Sequence, residues 1–246
     1  MMHARTYAIV LVGVVLGSVA GAAVPPVVGD RMSGVTEPPT GPPGPRIPSL
    51  EVRIGEQSPD ISPQVLEAAL NSLDCARKEG VVQGEQERWL TIIDYSLPST
   101  QHRLWVLDLQ QGTVAFRERV AHGRNTGEDR AFSFSNEEGS HKSSIGLFRT
   151  AETYVGANGY SLRLDGLESG VNDRARERQI VIHGADYVSE DFIAKAGRLG
   201  RSWGCPALPP ATAKPLIDTI RGGTLVFSWY PDPQWLSSSS YLRCSA

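Results

Sequence analysis

The segment QIVIHG, Gln179 to Gly184, and the segment RSWGCPALP, Arg201 to Pro209, whose cysteine lies 22 positions after the histidine of the first, decide how this chain is read. Ile180-Val181-Ile182 is a short apolar run of branched residues, the pattern of a buried strand. It delivers His183 into a turn at Gly184, with one ring face held by the sheet and the other free for chemistry. Cys205 sits in a glycine-containing turn, where Gly204 permits close backbone approach and Pro206 fixes the chain just beyond the sulfur. Backbone N–H groups converging in such a turn stabilise a thiolate and the oxyanion formed when it attacks a carbonyl. The spacing alone leaves three roles open for Cys205: a nucleophile served by His183, half of a disulfide, or a small apolar core residue.

Outward from these segments the chain keeps a strand-like period. WLTIIDY (Trp89–Tyr95), LWVLDL (Leu104–Leu109), TVAFRERV (Thr113–Val120), YSLRL (Tyr160–Leu164), QIVIH (Gln179–His183) and TLVFSW (Thr224–Trp229) are short, branched or aromatic, and bounded by turn residues. They predict a mostly antiparallel sheet. Helices are expected from Ser62-Pro63, with Ser62 accepting from free N–H groups, to Gly80, over about Ser189 to Ala196, and over about Ala213 to Ile220. Val65, Leu66, Ala69, Leu70, Leu73 and Ala76 form one apolar stripe on the first, with Cys75 at its flank.

The N-terminus reads differently. A weakly basic start, an apolar run from Tyr7 to Leu16 and small residues around Ser18-Val19-Ala20 form a signal-peptide pattern over residues 1–23, too short for a comfortable membrane span. Residues 24–50, with VPPVVG and EPPTGPPGPRIP, read as an extended spacer, and 51–246 as one folded domain. The expected location is therefore the periplasm or cell envelope, with no stable membrane span after cleavage and a monomeric state. Disulfides persist in such a compartment. Three cysteines allow three pairings and leave one thiol over; Cys75 with Cys244, tying down the tail, is preferred, which leaves Cys205 free.

Composition narrows the function. Among 246 residues, 40% are hydrophobic and 21% charged, which describes a folded chain rather than a disordered one. A net charge of −3 without a basic stripe speaks against a nucleic-acid partner. The arginines of FRERVAHGR (Phe116–Arg124) and NDRARERQ (Asn172–Gln179) are mixed with acids, as on a solvated surface. Cys205, His183 and a further histidine are metal-ligand types, but no close ligand pair accompanies them, so neither a metal nor another cofactor is expected.

With those residues in view, the chain resembles the L,D-transpeptidase catalytic domain family, in its murein L,D-transpeptidase catalytic domain branch. The resemblance rests on His183-Gly184 followed by Ser202-Trp203-Gly204-Cys205, within NDRARERQIVIHGADYVS and GRLGRSWGCPALP, and covers roughly Leu90 to Tyr230. It implies a mainly β catalytic sandwich with a few short peripheral helices, acting on peptidoglycan stem peptides. Cys205 would attack the carbonyl of the third residue, typically meso-diaminopimelate, and expel D-alanine. His183 would serve as base and then acid, with the N–H groups around Gly204 and Cys205 as oxyanion hole; Ser202 is placed to hydrogen-bond either to the turn or to the substrate. An amine acceptor would give a 3-3 crosslink, water an L,D-carboxypeptidase; a noncatalytic wall-binding protein is the reading of another class.

The resemblance further implies substrate contacts. Ser144 and Gly146 lie in SSIGLF, similar to the family's Thr-Pro-x-Gly-x-Phe element, and His122 lies in an HGxxTG stretch of this branch. Trp203, standing where many relatives have histidine, and Gly184 are expected beside the cleft. His141 and His102 are expected at the surface. The arginine that follows the cysteine in many relatives is absent, since Pro206-Ala207 stand there; Arg201, Arg198 and Arg163 are the available substitutes for binding a substrate carboxylate.

Overall fold

Alternation along the strands places the core. The structure, a computed structural model, describes residues 49–244; the expected leader and nearly all of the expected spacer lie outside the described residues. Strands β1 (Trp89–Asp94), β2 (Leu104–Asp108), β3 (Thr113–Glu118), β4 (Gly146–Gly156), β5 (Gly159–Gly166), β6 (Val181–Gly184), β7 (Ala207–Leu208) and β8 (Leu225–Trp229) form one mixed sheet in the order β3-β2-β1-β8-β4-β5-β6-β7. The β1–β8 and β6–β7 pairs are parallel and the rest antiparallel. The fold is mainly β with short helices around the sheet.

Two apolar clusters occupy the two sides of these strands. Leu90 and Ile92, Trp105 and Leu107, and Leu225, Phe227 and Trp229 pack with helix α2 (Pro63–Lys78) through Val65, Leu66, Ala69 and Leu73. Their neighbours Ile93, Leu104, Val106 and Val226 turn the other way and meet Leu216, Ile217 and Ile220 of α4 (Pro210–Ile220), along with Leu162, Leu164 and Ile182. A period of two feeding two faces is why β1, β2 and β8 read as continuous apolar runs. Each such buried side chain contributes about 1.5–3 kcal/mol.

Several elements depart from the expectations. Helices α1 (Leu50–Gln57) and α5 (Pro233–Ser238) were not foreseen, and neither was the eleven-residue β4. A register shift between Thr150 and Thr153 interrupts its alternation, so its sequence shows no clean period. Ser62 starts α2 without a side-chain cap; its carbonyl accepts from Val65 and Leu66 while Pro63 fills the first turn. Helix α3 (Glu190–Ala196) is capped by the Ser189 hydroxyl, which accepts from the Phe192 N–H.

Two long-range links complete the frame. After β3 the chain crosses to the far end of the strand order, where Ala121 pairs with Ala207 and Gly123 with Ser202, so the two ends of the sheet meet. Cys75, 2% exposed on α2, is bonded to Cys244 with Cα atoms 5.7 Å apart, and Cys205 is the free cysteine. The bridge spans 169 positions and holds the segment after α5 against α2. Replacing both cysteines by serine is expected to lower unfolding free energy by about 2–5 kcal/mol. Chemical denaturation checks this; an unchanged midpoint would mean that the tail packs as well without the bond.

Candidate active site

His183 and the turn that carries Cys205 are held together by backbone pairing. In β6, His183 lies opposite Ser161 of β5 on one side and Ala207 of β7 on the other, and its N–H points at the Pro206 carbonyl at 3.4 Å. His183 is 4% exposed. Its Nδ1 is 2.9 Å from the Gly184 carbonyl. A carbonyl only accepts, so Nδ1 carries the proton and the Nε2 lone pair is left as the base.

The Cys205 thiol is half-buried and donates to the carbonyl of Gln179 at 3.6 Å; it makes no hydrogen bond to His183 among the described residues. Gln179 takes a left-handed conformation, φ +56°, unusual for a residue with a side chain, at the entry to β6. That turn sets the carbonyl facing the sulfur.

The turn itself is braced from both sides. The Ser202 hydroxyl donates to the Cys205 carbonyl at 2.6 Å and accepts from the Gly204 N–H at 3.1 Å. Ser143 donates its hydroxyl to the Gly204 carbonyl at 2.9 Å and accepts from the Gly123 N–H at 3.0 Å. The expectation that both Gly204 and Cys205 offer free N–H groups is thus corrected: the Gly204 N–H is used within the turn. The Cys205 N–H donates to no backbone or side-chain oxygen among the described residues.

Close packing explains the glycines. A Cβ on Gly204, at φ +128°, would sit 2.8 Å from the Lys142 carbonyl oxygen and 3.0 Å from Ile180 Cδ1. One on Gly123 would sit 2.5 Å from the His141 carbonyl and 2.9 Å from Gly204 Cα. The strap of residues 135–144 therefore lies directly on the turn. His141, itself at φ +53°, stacks on Trp203 with ring centroids 5.0 Å apart. Trp203 stays 70% exposed, an aromatic surface beside Cys205.

Burial governs the site's protonation. It pushes the Cys205 thiol up, against the lowering effects of the Val181 N–H, the Arg178 guanidinium and the residue's own N–H. It pushes His183 down, against the raising effect of the Gly184 carbonyl. The resting pair is thus neutral thiol and neutral imidazole, not an ion pair.

Other expected site residues lie elsewhere. His122 is 1% exposed, with Nδ1 2.8 Å from Arg103 and Nε2 3.3 Å from the Gly127 carbonyl, and burial followed by Arg103 pushes it down to about 3. It packs where the chain returns from β3, against Arg103 and the Gly127 carbonyl. Gly146 is packed under Glu168 and Asn172, where an added Cβ would be 2.5 Å from Oε1 and 2.7 Å from Nδ2. Ser144 is buried and bonded to the Ser135 carbonyl at 3.0 Å. The substitute arginines are already paired: Arg201 and Arg198 with Glu128, Arg163 with Glu152.

Gly184 and His183 line an open cleft of about 470 Å³ with Tyr160, Asp186, Tyr187 and Lys214, whereas Cys205 is not among its lining residues. His183 thus joins the cleft to the Cys205 turn. Ser143 stands in the sequence only as part of SSIGLF, and Arg178 and Gln179 only inside NDRARERQIVIHGADYVS, with no individual role; a left-handed φ at a glutamine and a serine bridging two distant turns have no sequence signal. Replacing Gly204 by alanine is expected to cost about 1–3 kcal/mol through strain and contact with Lys142. Thermal unfolding of the variant checks it, and an unshifted transition would show that the strap yields freely.

A family model described as L,D-transpeptidase catalytic domain matches residues 57–229. Comparison with curated proteins found no match. Solved structures similar to the chain include an L,D-transpeptidase from Mycobacterium smegmatis, 14% identical over 58% of this chain and 59% of that one, TM-score 0.36. An L,D-transpeptidase from Mycobacterium tuberculosis is 15% identical over 58% of each chain, TM-score 0.35. The helical cell shape determining protein Pgp2 from Campylobacter jejuni is 14% identical over 58% of this chain and 47% of that one, TM-score 0.37. The chain spans less than two thirds of the length of these solved proteins. On the family model, which covers more than half of its residues, the chain belongs to the L,D-transpeptidase catalytic domain family.

Proposed function

We propose that the protein is an exported, cysteine-dependent L,D-transpeptidase acting on peptidoglycan stem peptides in the periplasm or cell envelope. The observation that supports this reading is the pairing of β6 with β7, which ties the strand ending in His183, whose Nδ1 faces the Gly184 carbonyl, to the segment that directly follows the free Cys205. Family membership supplies the reaction class.

The thiol of Cys205 loses its proton to His183 Nε2 as the sulfur attacks the carbonyl of meso-diaminopimelate in a tetrapeptide stem. The carbonyl oxygen takes negative charge, and the Cys205 N–H is the donor available to it. Collapse breaks the C–N bond, and the imidazolium returns the proton to the departing amine of D-alanine. The product is a thioester on Cys205. An amine of a second stem then attacks that carbonyl, its proton passes through His183, and the C–S bond breaks to free the thiol and leave a crosslink between third residues. Trp203 offers an apolar wall for the stem next to the sulfur.

Incubating the mature protein with defined tetrapeptide muropeptides and separating the products by mass tests this. Dimers joined through third residues are expected, with a loss of about 10²-fold or more in His183→Ala and no product in Cys205→Ala. D-alanine release without dimers would replace the transferase by an L,D-carboxypeptidase, and the absence of any Cys205-dependent product would overturn the enzymatic reading in favour of a noncatalytic wall-binding protein. The pH profile carries a second expectation. Because burial lowers His183 from its usual 6.5, the neutral base persists as pH falls, so the acid limb of kcat/KM lies below 6.5. An acid limb above that value would contradict a buried neutral imidazole.

A further inference from the structure

We propose that Arg178 is a positioning residue of this site: its guanidinium anchors the strap of residues 135–144 on the nucleophile turn and supplies the fixed positive charge beside which the Cys205 thiolate forms. This rests on the reading of Cys205 as nucleophile. Arg178 immediately precedes Gln179, whose carbonyl receives the thiol, so one turn carries both the resting acceptor of the proton and the cation.

The guanidinium is spent on the strap and on nothing acidic. It donates to the carbonyls of Ser135 and Lys142, the latter at 2.7 Å, and to the hydroxyls of Ser144 and Ser140, the latter at 3.2 Å. Its Nε is buried without a hydrogen-bond partner among the described residues. Every neighbouring arginine of NDRARERQ has an acid: Arg174 meets Glu177, and Arg176 meets Asp165 and Glu152. Arg178 is in no ion pair among the described residues, although burying a cation without a counter-charge costs stability. A half-buried cation kept without an acid, beside a thiol that must ionise, has an obvious counter-ion in the thiolate itself.

The strap bonds connect this charge to the turn. The Lys142 carbonyl held by Arg178 is the atom that lies against Gly204, and Ser143 next to it holds the Gly204 carbonyl. Other titratable or charged groups lie on the elements packed at the turn: His183 on β6, Tyr187 beyond it, Tyr95 after β1, His141 and Lys142 on the strap, and Arg201 in the turn itself. Of these and Arg178, the charged side chain that acts on the sulfur is Arg178. Burial keeps both tyrosines neutral, with phenols pushed up to about 12, and favours the uncharged form of His183, while Glu128 neutralises Arg201. Against the sulfur, the guanidinium acts to favour ionisation, and burial opposes it.

The test is the pH dependence of Cys205 alkylation by iodoacetamide, followed by intact mass, in the mature protein with its Cys75–Cys244 bond intact. Four chains are compared: the unmodified protein, Arg178→Gln, Arg178→Lys and Ser144→Asp, the last of which places a carboxylate against the guanidinium and keeps the strap anchored. Arg178→Gln is expected to move the midpoint upward by about one unit, near tenfold slower alkylation at neutral pH, with Arg178→Lys retaining most of the original profile. Ser144→Asp is expected to shift the midpoint in the same direction as Arg178→Gln. Superposable profiles for Arg178→Gln and the unmodified protein, or equal shifts for Gln and Lys, would overturn the proposal. If Arg178→Gln does not fold, an unchanged midpoint in Ser144→Asp overturns it. Alkylation needs no muropeptide, so an Arg178-dependent midpoint in a protein that makes no Cys205-dependent product would overturn the enzymatic reading alone.

Discussion

The bridge between Ala121 and Ala207 joins the two ends of an eight-stranded sheet, and the site depends on it. Ala121 donates to the Ala207 carbonyl at 2.8 Å; one residue later, the His122 carbonyl accepts from Ser202 at 2.9 Å, and Arg124 donates back to Ser202 at 2.8 Å. These few bonds carry the end of β3 across to the turn before β7. An open sheet edge there would expose unpaired backbone groups and leave the 201–206 turn held from β6 and the strap alone. Closure also explains a buried arginine. Arg103, fully buried, donates to the Val120 and Leu97 carbonyls and to His122, bending the chain as it leaves β3. Burial lowers it to about 10, still charged at neutral pH.

From that frame follow the chemical properties of the pair. The turn is pressed between β6, the returning 121–124 segment and the strap, and burial is the largest influence on both protonation equilibria. A neutral thiol beside a neutral imidazole is less reactive at rest than an ion pair, and the proposed acylation must then move the proton as the carbonyl is attacked. The proposed counter-charge on Arg178 and the donor at the Cys205 N–H act on negative charge that appears only during reaction, first on sulfur and then on oxygen. Preorganised partners of this sort stabilise a transition state without tightening the ground state.

Much of the fold was legible because it rests on local patterns. The strands β1, β2 and β8, buried on both faces, announce themselves as branched runs, and Pro63 and Gly80 mark the limits of α2 within a residue or two. Strand β4 was hidden because its bulge breaks the period, and α1 because only Ile54 of its eight residues is fully buried. In the site, Cys205 and His183 stood out through their glycine turns and the family resemblance. The strap did not, since Ser143 and Arg178 act through contacts with residues far away in sequence. His122 misled for the same reason: its motif is local, but its burial comes from Arg103 and Gly127.

The central claim is that sheet closure holds the Cys205 turn, and native-state hydrogen exchange measured residue by residue addresses it directly. The amides of Ala121, Ser202 and Arg124 should exchange as slowly as those of core strand β6, opening only with the sheet itself. Exchange of these three amides at the rate of free loop amides, with β6 still protected, would contradict it, because the turn would then be positioned without the closing bonds.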